Sequence, residues 1–171
     1  MTDGPEATDV GLDVSKAAHG RPFVLRAGEG RDIDMGNFRM SLKASGEDTN
    51  QAFSLLEAEE PPNFGPPMHI HHDAAEAFYV VSGEYVMFIG DGEYVCPAGS
   101  FVYIPAGAPH GFRVGAVPSC KLNIYAPAAM VGYFDELAAA IARDELDDES
   151  LGEMARRHGM EVIGPVPEGY V

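Results

Sequence analysis

The stretch "EAFYVVSGEYVMFIGDGEYVCPAGSFVYI" (76–104) decides the fold. Runs rich in Val, Ile, Phe and Tyr at 76–81, 84–89, 93–96 and 100–104 are separated by the breakers "SG", "GDG" and "PAG". Short β-branched and aromatic runs bounded by Gly and Pro read as strands. The pattern continues outward to "HGFRV" (110–114) and "CKLNIY" (120–125), and backward to "AFSLLEA" (52–58) and "NFRMSLK" (37–43). In the last of these Phe38, Met40 and Leu42 share one face, as alternation on a half-buried strand requires. "PFVLRA" (22–27) is a possible first strand. Many short strands at this spacing predict an all-β chain, folded as an antiparallel sandwich or barrel.

After Pro127 the period changes. Met130, Tyr133, Phe134, Leu137, Ala138 and Ile141 fall at helical spacing, with Pro127 suited to the first turn. A second helix is predicted from Glu149 to His158, closed by Gly159, and the tail "GPVPEGYV" (164–171) is Pro-broken and extended. The chain divides into a loose polar arm (1–20), a β-barrel (21–126) and a helical C-terminal segment with its tail (127–171). The helices are expected to cover an open end or an outer face of the barrel.

The 171 residues carry a formal net charge of −16, a potential that repels phosphate backbones and anionic headgroups. Nucleic acid and membranes are therefore not expected as partners, and no apolar run approaches the ~20 residues that span a bilayer. Two cysteines, Cys96 and Cys120, do not make a disulfide scaffold, and "MTDGPEATDVG" lacks the regions of a signal peptide, so a cytoplasmic location is expected.

Three of the six histidines fall in "HIHHDAAE" (69–76). His69 and His71, two residues apart on a strand, face the same way and can share one ion. Glu76 has the wrong parity for one continuous strand, so a turn at 72–75 must bring it back on a new strand with Phe78 and Val80. His110 opens a strand after the "PAGAP" turn, the sort of position where a barrel mouth places functional groups, and is the natural fourth ligand. His72 has the opposite parity and is expected in solvent, and His19 and His158 have no partners in sequence.

Residues 69–83 read His-x-His-x4-Glu-x6-Gly, and 99–110 read Gly-x5-Pro-x-Gly-x2-His, with 15 residues between Gly83 and Gly99. This two-block pattern resembles the cupin superfamily, whose fold is a double-stranded β-helix, the jelly-roll barrel. Two positions depart from the family pattern: Asn63 stands where a Gly is frequent and Val114 where an Asn is frequent. The resemblance implies that His69, His71, Glu76 and His110 hold one divalent transition metal per chain. Fe, Mn, Ni, Co, Cu and Zn all suit three imidazoles and a carboxylate.

Within the family, "GEDTNQAFSLL" (46–56) running into "GPPMHIHH" (65–72), and the helical C-terminal segment, are similar to single-domain quercetin dioxygenase-like members. That likeness implies a metal-dependent dioxygenase whose partners are dioxygen and a flavonol or other enolisable, metal-chelating small molecule. Glu76 is then both ligand and general base. Phe53, Phe78, Phe112 and Tyr125 are candidates for the apolar substrate wall, Phe78 and Phe112 first because they share strand parity with Glu76 and His110. The alternatives are a cupin isomerase, cyclase or lyase using the ion as a Lewis acid, or a non-catalytic binding module. A homodimer is expected, with the helix at 128–142 and the segment near 22 as possible interface.

Overall fold

In the computed structural model, which describes residues 22–167, the alternating runs pair into two antiparallel sheets. Strands are numbered along the chain. The larger sheet holds β1 (Arg31–Asp34), β2 (Arg39–Ala44), β3 (Ser54–Glu60), β10 (Ser119–Ala126), β5 (Ala75–Ser82) and β8 (Phe101–Ile104), in that spatial order. The smaller holds β11 (Met160–Gly164), β4 (Met68–His71), β9 (His110–Val114), β6 (Glu84–Ile89) and β7 (Gly92–Pro97), again in spatial order. Because side chains alternate across each strand, one face of each sheet turns inward and the two inner faces form the jelly-roll interior.

That interior divides into two apolar regions. Phe78, Val80, Tyr85, Met87, Ile104 and Phe112 fill the closed end of the barrel. At the other end Met40, Leu56, Tyr125 and Met160 meet the helices α1 (Val131–Arg143) and α2 (Asp148–Arg157). Phe134, Leu137 and Ile141 of α1 and Leu151 of α2 pack onto this group, so the helices roof the open end, one of the two placements expected. The apolar stripe of α1 is thereby spent on its own barrel, which leaves the exposed Phe23–Leu25 segment as what remains of the interface expected for a homodimer.

The elements differ from the sequence reading at three places. Residues 22–27 form no strand; Phe23, Val24 and Leu25 are exposed, and the first ladder begins at β1, where Ile33 alone faces the core. Pro127 lies before α1 and not in its first turn. The backbone N–H groups of Ala128 and Ala129 donate instead to the Gln51 carbonyl and Ser54 Oγ, and the helix starts at Val131 after a left-handed Met130. Residues 160–164 are a strand, β11, paired with the β4 edge. The arm at 1–20 and residues 168–171 of the tail lie outside the described residues.

The two departures from the family pattern meet in space. Asn63 takes a left-handed φ of 62°, the conformation for which Gly and then Asn are suited. Its N–H donates to the Val114 carbonyl, and the Val114 N–H donates to the Phe64 carbonyl at 2.7 Å. Gly65 follows so close to β9 that a Cβ there would stand 2.4 Å from the Phe112 carbonyl oxygen. No helix of the described residues is long and apolar enough to cross a membrane.

Candidate metal centre

Strand parity and register assemble the centre across both sheets. In β4 the inward positions are His69 and His71, and His69 stands in direct register with His110, the first residue of β9. From the opposite sheet, β5 presents Glu76, which is in register with Tyr125 of β10. The turn after His71 restores the parity that the five-residue spacing had broken. All four side chains are buried, and one ligand atom from each lies within 4.8 Å of all the others.

The imidazoles are oriented alike. His69 Nδ1 is 2.8 Å from the Pro67 carbonyl and His110 Nδ1 is 2.9 Å from the Ala108 carbonyl, in each case two residues back. A carbonyl only accepts, so each Nδ1 carries the proton and each Nε2 is turned into the interior. There Glu76 Oε2 lies 2.6 Å from His110 Nε2, 3.1 Å from His71 Nε2 and 4.0 Å from His69 Nε2. The His71 contact lacks hydrogen-bond alignment, and its Nε2 is left buried without a partner.

Burial lowers the His69 pKa to about 4, so this ring is neutral and ready to donate a lone pair. Burial alone would lower His110 as well, but the hydrogen bond to the Glu76 carboxylate holds its pKa above the ordinary value. Burial opposes ionisation of Glu76, and the His110 and His71 rings outweigh it, taking the carboxyl well below its usual range. His110 thus has an acceptor at each ring nitrogen, a carbonyl at Nδ1 and the Glu76 carboxylate at Nε2, an arrangement that favours its protonated form. An orphaned imidazole nitrogen beside a carboxylate and two further rings fits a divalent transition ion, which would replace the His110 proton.

His69, His71 and Glu76 line a cavity of about 270 Å³. Its walls are mostly apolar: Met35, Phe38, Met40, Phe64, Phe112 and Met160 contribute, with Leu137 and Ile141 in the roof. Of the four residues predicted for a substrate wall, Phe112 and Tyr125 line this cavity. Phe78 does not reach it; it packs behind Phe112, ring centroids 6.0 Å apart. Phe53 does not join it either: it precedes β3, where Ser54 faces inward, and is itself 38% exposed. His72 is exposed and paired with Glu161, and His158 pairs with Glu136.

Three polar residues of the cavity wall escaped the sequence reading. Glu60 accepts from both Lys121 Nζ, at 2.6–2.7 Å, and the Tyr85 hydroxyl, at 2.9 Å. Lys121 Nζ also stands 4.1 Å from the Phe112 ring centroid. Asn123 donates from Nδ2 to the Tyr125 hydroxyl at 2.6 Å. In "CKLNIY" the alternation puts Leu122 and Ile124 on one face and Lys121, Asn123 and Tyr125 on the other, and the polar set is the one turned inward. The signal was their shared parity with Tyr125.

A "Cupin domain" family model matches residues 56–121, which carry all four residues of the cluster. Quercetin 2,3-dioxygenase of Bacillus subtilis (strain 168) is 29% identical over 93 residues, 54% of this chain but 28% of that protein's length. Among solved structures, a predicted oxalate decarboxylase from Thermotoga maritima superposes with a TM-score of 0.56 at 22% identity, over 61% of this chain and 99% of that one. An RmlC-like cupin from Shewanella frigidimarina gives 0.55 at 16% identity, over 64% and 95%. At these identities the solved structures speak for the fold.

Proposed function

The chain belongs to the cupin superfamily, and on that premise we propose that it is a metal-dependent oxidoreductase, quercetin 2,3-dioxygenase-like, that adds dioxygen to an enolisable, metal-chelating small molecule. The observation that carries the reading is a buried three-histidine, one-carboxylate cluster, three of whose residues line a largely apolar cavity. The Bacillus subtilis relative supports the reaction type over the half of this chain that it matches.

A divalent ion held by His69, His71, Glu76 and His110 would polarise a chelating substrate and assist electron transfer to dioxygen. The protein supplies the rest. Glu76 Oε2 accepts the substrate hydroxyl proton, because the rings beside it keep the buried carboxylate ionised. Tyr125 stands in register with Glu76 and packs edge-on against the His71 ring, centroids 5.3 Å apart, which steadies both side chains. The Met, Phe and Leu walls exclude water and clamp a flat ring. Both oxygen atoms enter the organic product, so no external reductant needs a seat in the cavity.

At about 270 Å³ the cavity falls just under the ~300–1,000 Å³ usual for drug-sized ligands. A one- or two-ring chelator therefore fits better than a fully substituted flavonol. Metal analysis of the purified protein, followed by oxygen uptake with hydroxypyranones, diketones and flavonols under each candidate metal, tests the reading. Consumption of one dioxygen per substrate supports it. Tight binding of chelators to fully loaded protein with no oxygen uptake under any metal would refute the oxidoreductase and leave Lewis-acid chemistry.

A further inference from the structure

Among the described residues four buried side-chain polar atoms lack a partner, and two belong to residues lining this one cavity: His71 Nε2 and Asn123 Oδ1. The first asks for a metal. The second is an acceptor and asks for something else. Asn123 is 4% exposed and stands on β10 between Lys121 and Tyr125.

Its amide is anchored at one end, where Nδ2 donates to the Tyr125 hydroxyl at 2.6 Å. The opposite end of the amide, Oδ1, is then fixed as an unpaired acceptor. Lys121, the nearest cation on the same face, does not meet it, being committed to both oxygens of Glu60 and to the Phe112 ring. An unmatched carbonyl in an apolar wall costs stability unless a ligand or a water donates to it.

We propose that Asn123 is the specificity-determining acceptor of this cavity, and that the ligand carries, besides its chelating group, a hydroxyl or N–H that donates to Oδ1. The inference rests on the chelator-binding reading above and narrows it. Asn123 is one alternation along β10 from Tyr125, the residue in register with Glu76. The donor is thus about 7 Å from the level of the carboxylate, across one ring of a chelator. Removing a hydrogen-bonding group from a ligand leaves a buried acceptor unpaired, which lowers affinity by about tenfold or more.

The test uses three ligand pairs, each differing by one hydroxyl: kojic acid and allomaltol, 4-(hydroxymethyl)catechol and 4-methylcatechol, 3,7-dihydroxyflavone and 3-hydroxyflavone. Binding is measured by anaerobic calorimetry on zinc-loaded full-length protein, with metal content assayed in parallel. In at least one pair the hydroxylated member should bind the wild type about tenfold tighter or more. The ratio should fall to near one in Asn123→Ala and Asn123→Leu at unchanged metal content. Should those variants fail to fold, Tyr125→Phe, which releases the amide while keeping Asn123, should shrink the ratio. Ratios within twofold for every pair, or a preference that survives the substitutions, would overturn the inference while leaving the chelator reading intact. Failure of all six compounds to bind would overturn both.

Discussion

Replacing Lys121 with Met leaves the Glu60 carboxylate buried with only the Tyr85 hydroxyl to hold it. The two side chains of the pair are 3% and 4% exposed, and Lys121 Nζ bonds both carboxylate oxygens. Stranding one partner of so deeply buried a pair costs about 3–5 kcal/mol, and the lost contact with the Phe112 face adds up to ~2 kcal/mol. Against a total stability of about 5–15 kcal/mol this is a large share, equivalent to roughly 6–28 °C in Tm for a chain of this size. Urea unfolding with EDTA present, so that metal linkage is equal in all variants, measures it. The double variant Glu60→Gln/Lys121→Met removes both charges and keeps an acceptor for Tyr85, so it should recover at least about 2 kcal/mol of the loss. A single variant that loses under about 1 kcal/mol, or a double variant no better than the single, would refute the view that this pair is a closed electrostatic unit.

Glu76→Gln should keep the fold but weaken metal binding by at least the ~10–100-fold that loss of an outer-sphere partner costs, as read by competition with a chromophoric chelator, and turnover should vanish. Metal uptake by the metal-free protein should expel protons, because Glu76 raises the pKa of His110, whereas His69, with a pKa of about 4, is already neutral. The release should fall towards zero as the pH rises past the raised His110 value, and calorimetry in two buffers of different ionisation enthalpy counts it. Gly83→Ala should destabilise the protein well beyond Gly99→Ala. Both glycines have left-handed φ, but a Cβ at Gly83 would stand 2.1 Å from Ser119 Oγ and 2.8 Å from its Cα, whereas the space at Gly99 is open. Thermal melts with matching shifts for the two would dispose of the steric account.

Strands whose inward residues are apolar were legible in the sequence almost to their ends: β6 and β9 fall where "EYVMFI" and "HGFRV" lie. The cluster was legible too, since parity within β4 and the turn before β5 follow from spacing alone, and His110 from its place at a strand start. β1 and β11 escaped for a common reason. "RDID" offers one inward apolar residue, and "MEVIG" is defined by the β4 edge it joins and not by its own composition. Of the four residues expected at a substrate wall two line the cavity, because an inward-facing residue such as Phe78 can still be one layer too deep, which a single strand cannot reveal. On β10 the rule that apolar residues face inward fails outright. Lys121 and Asn123 are buried because the register sets Tyr125 opposite Glu76, a constraint from another strand.

The pairing of β11 with β4 also bears on how the chain is made. Met160 lies opposite His71 and Val162 opposite His69, some ninety positions apart along the polypeptide, while on its other side β4 meets β9 in register at His69 alone. During synthesis, the strand carrying His69 and His71 thus has little to hold it until residues near 164 have left the ribosome. Closing so long a loop is slow compared with forming the local hairpins of β5 to β7. An ion that reaches the nascent chain early would find the hairpins formed before the strand that bears its first two ligands is secured. On the proposed metal-binding reading, capture is expected late, coupled to the docking of the last strand.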